Sequence, residues 1–182
     1  KEAEDLLREV EKLVRESKKL SEDLLREVRK SNERSKRESE RLLREVERLV
    51  RELKDLRDKV RDRRTLEKLL EDLERTAREI IKEIEKISRD DKKDVERIIR
   101  ENERISEELE KRVREILEKI KRDGLDDRII ERIKRILEKV HKINREASKR
   151  IKESLDRAHE TNKRVLDRIR KIVDDVRREV ER

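Results

Sequence analysis

The spacing of the apolar residues restricts this chain more than any other feature of its sequence. In the first third, leucine and valine recur every three or four residues, as in LLREVEKLVRE from residue 6 and LLREVERLVRELKDL from residue 42. At about 100° per residue, these positions fall within roughly 140° of a helix surface. Such a stripe predicts a helix that packs against two neighbours.

The apolar stripe is interrupted near residue 62. Beyond Val60, the leucines lie roughly 160° from the earlier stripe if the helix is continued, so a turn must intervene. Asp62 or Thr65 can cap the helix that follows. The segment contains neither glycine nor proline, and we therefore place this boundary only to within a few residues.

A second turn is predicted in the segment RDGLDD. Gly124 suits the left-handed position that ends a helix, Leu125 supplies the hydrophobic contact that accompanies it, and Asp126 caps the next helix. Short turns make neighbouring helices antiparallel. The sequence therefore predicts an all-α fold, a long and nearly straight up-down-up antiparallel three-helix bundle. It is expected to form a single domain over residues 1–182, with helices at about 1–62, 65–122 and 126–182.

The apolar pattern also repeats with a period of 18 residues. LLREV begins at residues 6, 24 and 42, and IIKEIEKIS at 80–88 matches IIRENERIS at 98–106. Eighteen residues make five turns at about 3.6 residues per turn, so the stripe returns to one face without supercoiling. This period favours nearly straight helices over a left-handed coiled coil.

Polar residues occupy the stripe in each predicted helix, and the 18-residue offset relates five pairs of them, for example Ser17 to Ser35 and Asn144 to Asn162. The predicted buried polar network comprises Ser17, Ser21, Ser31, Asn32, Ser35, Ser39, Ser88, Asp91, Asn102, Ser106, His141, Asn144, Ser148, Ser154, His159 and Asn162. A complete network specifies helix register, because a slide would leave polar groups facing leucine. The alternative is a polar belt that faces water or a partner.

The predicted partners follow from equal overlap of the three helices. If a residue of the first helix faces one of the second, their two residue numbers then sum to about 126. A residue of the first helix faces a residue of the third whose number is higher by about 124. We expect Ser35 beside Asp91 and His159. The same stacking predicts that Ser39 lies near Ser88 and Asn162, that Ser21 lies near Asn102 or Ser106 and near Asn144, and that Ser17 is level with His141.

The composition and these motifs together resemble a family of proteins. Charged residues make up 59% of the chain, aromatic residues are absent, and only thirteen amino acid types occur. With the LLREV repeat, the DGLDD turn and the matched polar positions, the chain resembles de novo designed helical bundles with buried hydrogen-bond networks. The resemblance implies a helical-bundle fold of high thermal stability and carries no active site.

The charge pattern and the missing residue types bear on partners and location. The net charge is +8, and residues 125–182 hold 19 basic against 13 acidic side chains. Because no aromatic side chain can stack on a base, we expect no nucleic-acid binding. No apolar run is long enough to predict a membrane segment, and no signal peptide predicts a cellular destination. The cellular location is therefore not predicted, and recombinant cytoplasmic expression is expected. The absence of cysteine excludes disulfides and thiolate chemistry.

Two constellations invite a chemical interpretation. Ser35, His159 and Asp91 could lie at one height like a catalytic triad, but no glycine-rich loop offers an oxyanion hole. Glu138 and His141 match the Glu-x-x-His element of di-iron bundles, yet no companion glutamates face inward. We therefore predict no enzyme activity, no metal and no cofactor. Protonation of the two histidines is expected to cost some stability below about pH 6.

The sequence therefore predicts a structural protein rather than an enzyme. The first interpretation is a monomeric designed scaffold that requires no partner, in which the polar layers fix helix register. The alternative is one component of a designed homo- or hetero-oligomer that binds further helices through a partly polar groove. The third helix has the broadest stripe, at about 160°, which favours an extra neighbour there.

Overall fold

Three long α-helices make up the structure, a computed structural model that describes residues 2–124 and 126–182. Helix α1 spans Glu2–Lys59, α2 spans Arg63–Arg122 and α3 spans Asp127–Glu181. The prediction of an all-α three-helix fold is confirmed. The observed α1 ends earlier than the predicted boundary at 62, and α2 begins at residue 63 rather than 65.

The α1–α2 turn is closed by Asp62, one of the two predicted caps. Its carboxylate accepts hydrogen bonds from the Arg64 backbone N–H at 3.1 Å and from the Thr65 hydroxyl at 3.0 Å. Its carbonyl also accepts from the backbone N–H of Leu66 at 3.2 Å. Asp62 is thus the N-cap of α2, and Thr65 binds to the cap from inside the first turn.

The α2–α3 turn follows the predicted pattern at the residues that the structure describes. Gly124 has a φ of 64° and donates its backbone N–H to the Lys121 carbonyl at 3.2 Å. The Asp126 carboxylate accepts the Arg128 backbone N–H at 3.0 Å, as an N-cap does. The hydrophobic contact predicted for Leu125 lies outside the described residues.

The chain divides into two compact units, and each unit takes a segment from all three helices. Unit 1 consists of residues 1–30 and 94–154, and unit 2 consists of residues 31–93 and 155–182. The prediction of a single domain over the whole chain stays a prediction. Each unit has its own apolar core, and the two are described separately below.

The core of unit 1 is built from aliphatic side chains that all three helices contribute. It contains Leu7 and Val10 from α1, Leu109, Val113, Ile116, Leu117 and Ile120 from α2, and Ile133 and Val140 from α3. Ion pairs lie at its edges, with Arg112 of α2 at 3.6 Å from Glu9 and Arg132 of α3 at 3.5 Å from Glu11. Ser21 of α1 also bonds to Asn102 of α2, so the facing residue numbers rise on α1 as they fall on α2, and the two helices run antiparallel in this unit.

The core of unit 2 has the same aliphatic character. It contains Leu42, Val46, Val50 and Leu53 from α1, Leu70, Leu73, Ala77, Ile80 and Ile84 from α2, and Val165, Ile169 and Val176 from α3. Arg177 of α3 forms a two-pronged ion pair with Glu74 of α2, with both N–O distances at 2.9 Å. Planar pairing of this kind orients the guanidinium as well as attracting it.

Candidate functional site: polar side chains buried in the two cores

Asn162 forms the most completely buried polar contact of unit 2. The Ser39 hydroxyl donates to Asn162 Oδ1 at 2.8 Å, and Asn162 Nδ2 donates to the Ser35 hydroxyl at 3.1 Å. Ser39 is fully buried, and Asn162 is only 3% exposed. One α3 amide thus joins two serines that lie one turn apart on α1.

Partly buried hydrogen bonds also connect helices in unit 2. The Ser31 hydroxyl of α1 donates to Asp91 Oδ1 of α2 at 2.5 Å. The Ser88 hydroxyl of α2 lies 2.9 Å from His159 Nδ1 of α3, and the tautomer of His159 decides which of the two donates. Asp91 and Asn32 are buried, and each takes part in a further interaction.

A buried hydrogen bond joins α1 and α2 in unit 1. The Ser21 hydroxyl of α1 donates to Asn102 Oδ1 of α2 at 2.9 Å, and Asn102 is only 2% exposed. Ser106 bonds instead within its own helix, donating to the Asn102 carbonyl at 2.9 Å. Ser17 is buried on the α1 face that also carries Ser21.

The remaining predicted residues of unit 1 lie closer to the surface on α3. The His141 side chain is 44% exposed, and its Nε2 lies 3.2 Å from Glu110 Oε1 of α2. Asn144, Ser148 and Ser154 are half-buried, and Ser154 takes part in a further interaction. His141 is therefore at the edge of the core, and its expected position level with Ser17 stays a prediction.

The partners of Ser35 differ from those predicted. We expected Ser35 beside Asp91 and His159, but it accepts from Asn162, while Asp91 accepts from Ser31. The cause is the position of the first turn. Because α1 ends at Lys59 and α2 begins at Arg63, facing residue numbers sum to about 122 rather than 126. The whole α1–α2 pairing therefore moves by about one helical turn.

Two other predicted neighbours are observed as hydrogen bonds. Ser21 was expected near Asn102, and Ser39 near Asn162, and both pairs bond directly. The Ser39–Asn162 pair has an α1–α3 offset of 123 residues, close to the predicted 124. The membership of the full sixteen-residue network stays a prediction.

Charged side chains of unit 2 show how local pairing affects protonation. The hydrogen bond from Arg41 is the main cause that lowers the pKa of Glu38, with burial opposing it. The pKa of Arg177 is raised, chiefly by its hydrogen bond to Glu74. Glu38 belongs to the polar middle of α1, but it faces its own helix neighbour rather than another helix.

The geometry bears on the two chemical interpretations. The triad would need Ser35 to contact His159, yet His159 bonds to Ser88 and Ser35 bonds to Asn162. A metal site would need several converging ligands, and among residues 2–124 and 126–182 no three His, Asp or Glu side chains form such a group. What the arrangement offers chemically is complementary donors and acceptors that pair across the helix contacts.

Comparisons with known proteins bear on the fold. No protein family profile matches the chain, and no curated protein sequence matches it significantly. Among solved structures, it is similar to one described as a "Computationally designed three helix bundle". The TM-score is 0.63 at 18% sequence identity, and the alignment covers 99% of this chain and 84% of that one. In the described part of the chain, no helix is apolar enough over a sufficient length to cross a membrane.

Proposed function

We propose that this protein is a designed structural scaffold in which buried Ser, Asn, His and Asp side chains specify helix register. The observation that carries the proposal is the Ser35–Asn162–Ser39 bridge, in which both functional groups of one buried amide are paired. The 18-residue repeat supports it, because it recurs at both the apolar and the polar positions. The designed bundle found among solved structures shares the fold.

The buried hydrogen bonds act mainly by destabilising alternative packings of the helices, and they add little to the stability of the native packing. A typical hydrogen bond adds only about 1 kcal/mol to stability, whereas a buried group left without a partner costs about 1–3 kcal/mol. If α3 slides by one turn, about 5.4 Å, toward the C-terminal end of α1, leucine stays against leucine but Asn162 keeps only one of its two serines, Ser39. Aliphatic side chains alone would discriminate weakly between these two states.

The test compares the register of the protein with that of an apolar-core variant. Because the chain has no cysteine, two spin labels can be attached at Lys36→Cys and Arg178→Cys, which are exposed positions of α1 and α3 within unit 2. By the offset of the Ser39–Asn162 pair, these positions are separated by about 28 Å along the helix axis, so an axial slide changes the distance between the labels almost in full. The parent is expected to give one narrow distance distribution in pulsed electron paramagnetic resonance.

The variant for comparison is S35A/S39A/N162L in the same labelled background. We expect a broadened distribution or a second distance displaced by about 5 Å, the rise of one turn. The matched control T161A removes a hydroxyl that bonds only to the Arg157 carbonyl of its own helix. An equally narrow distribution in the triple variant would refute the register role.

Self-association through α3 is the second candidate. In unit 1, Ile143, Asn144, Ala147 and Ser148 are only half-buried, so this side of α3 could take another helix. Light scattering coupled to size exclusion, over a hundredfold range of concentration, distinguishes the two. The scaffold proposal expects a constant mass near 22.4 kDa, and a multiple of that mass would favour assembly.

A further inference from the structure

A groove runs along unit 1 between α1 and α3, away from the polar contacts described above. Its volume is about 970 Å³, at the upper end of what small-molecule sites enclose. Its floor is aliphatic, with Val14 of α1 facing Ile136 and Ile143 of α3, all three half-buried. The floor is thus accessible to an apolar group from solution.

The rim of the groove carries an excess of positive charge. Six basic side chains and three acidic ones line it: Arg15, Lys18, Arg128, Arg132, Arg135 and Lys139 against Glu11, Asp127 and Glu131. Glu11 pairs with Arg132 at 3.5 Å, and Glu131 pairs with Lys134 at 3.9 Å. Two of the three carboxylates are therefore already partly neutralised by cations.

The other rim cations have no such neutralisation. Among residues 2–124 and 126–182, the ion pairs of the rim are those of Glu11 and Glu131, and neither includes Arg135 or Lys139. The contact between Glu11 and Arg132 sets the local offset between α1 and α3 at about 121 residues. By that offset, Lys18 of α1 is level with Lys139 of α3. Cations therefore face each other across the aliphatic floor.

We propose that this groove binds a long-chain anionic amphiphile, with its acyl chain on the aliphatic floor and its head group between the rim cations. From Arg128 to Ile143, the α3 wall extends about 22 Å at 1.5 Å per residue, which suits an extended chain. The carboxylate head would accept hydrogen bonds from Arg135 and from the ammonium of Lys139, as charge-assisted bonds require.

A small amphiphile fits this groove better than a docked helix does. Stable helix or protein contacts bury on the order of 1,000 Å² with a continuous apolar centre, and three half-buried aliphatic side chains provide much less. The long basic side chains of the rim can instead fold over a slender chain, since their methylene stems are themselves apolar. The proposal is independent of the register role of the buried polar residues.

The experiment is calorimetric titration of the full chain with dodecanoate below its micelle concentration, with dodecanol and acetate as comparison ligands. Saturable binding of one dodecanoate is expected, with weaker binding of dodecanol and none of acetate. The variant R135E/K139E is expected to weaken dodecanoate binding at least about tenfold, through lost attraction and added repulsion. Circular dichroism establishes that the variant retains its helices.

The matched control is K149E/R150E, which changes the net charge equally at exposed α3 positions outside the groove. It is expected to bind dodecanoate as the parent does. Equal weakening by both double variants would show that net charge alone attracts the ligand, and would overturn the proposal. Lack of saturable binding would overturn it as well, as would binding of an acidic amphipathic peptide in place of dodecanoate.

Discussion

Truncating Asn162 is the most direct perturbation of the buried polar contacts. In Asn162→Ala, the hydroxyls of Ser35 and Ser39 both lose their interhelical partner. Two lost bonds at about 1 kcal/mol each, with further desolvation cost for any group left unpaired, give a loss of about 2–4 kcal/mol. The lower end is favoured, because a serine can rotate to the carbonyl four residues back, as Ser106 does.

Removal of the whole contact should cost much less than removal of half of it. In S35A/S39A/N162L no polar group remains to be satisfied, and we expect a stability within about 1 kcal/mol of the parent, or above it. Urea unfolding followed by circular dichroism measures both differences at constant m value. T161A is the control and should shift the unfolding free energy by less than about 0.5 kcal/mol.

The single substitution is thus expected to lower the free energy of unfolding more than the triple substitution does. A single variant as stable as the parent would mean that Asn162 is not effectively buried or not effectively bonded. A triple variant as unstable as the single one would mean that packing volume, and not hydrogen bonding, sets the cost at this layer.

Three further outcomes follow from particular residues. Ile169→Ala, at a fully buried position, should cost about 2–5 kcal/mol in urea unfolding, whereas Leu56→Ala, at 39% exposure, should change stability by less than about 0.5 kcal/mol. Gly124→Ala should cost about 1–2 kcal/mol, measured the same way, because the φ of 64° is unfavourable for a side chain although space is open around it. Because the pKa of Glu38 is lowered in the folded protein, its ionised carboxylate contributes stability at pH values above its ordinary pKa of 4.5. That stability is lost as the pH falls through the lowered pKa of the folded state. Arg41→Ala should therefore raise the pKa of Glu38 in an NMR titration, and an unchanged pKa would contradict the pairing.

The helices were predictable because their signals are redundant. An apolar stripe that repeats over fifty or more residues specifies a helix many times, and no single substitution obscures it. The second turn was equally clear, since Gly124 and Asp126 mark its two sides and the structure uses both. The first turn, residues 60–62, contains neither glycine nor proline, and there the sequence left the boundary uncertain by a few residues.

That small uncertainty accounts for the difference in the polar contacts. In an antiparallel hairpin, moving the turn by two residues moves every facing pair by four. Asp91 therefore meets Ser31 rather than Ser35. The Ser39–Asn162 pair, at an α1–α3 offset of 123 residues, stayed close to the predicted 124 and was matched correctly.

The basic groove was not found from the sequence, although a signal for it was present. The positive excess of residues 125–182 is visible in the sequence, but nothing in the spacing of Arg135 and Lys139 shows which α1 side chains they would face. Charge excess is a property of a segment, but a binding groove requires knowledge of which helix lies opposite. The offset between α1 and α3 is what supplies that knowledge.

The interleaving of the two compact units has a consequence for how the chain can mature on a ribosome. Unit 1 needs residues up to 154, and unit 2 needs residues up to 182, although both begin within α1. Neither unit is encoded by one uninterrupted stretch of sequence. During synthesis, α1 and α2 therefore emerge before α3, whose side chains complete both apolar cores. For the same reason, no single truncation point releases one unit as an autonomous fragment.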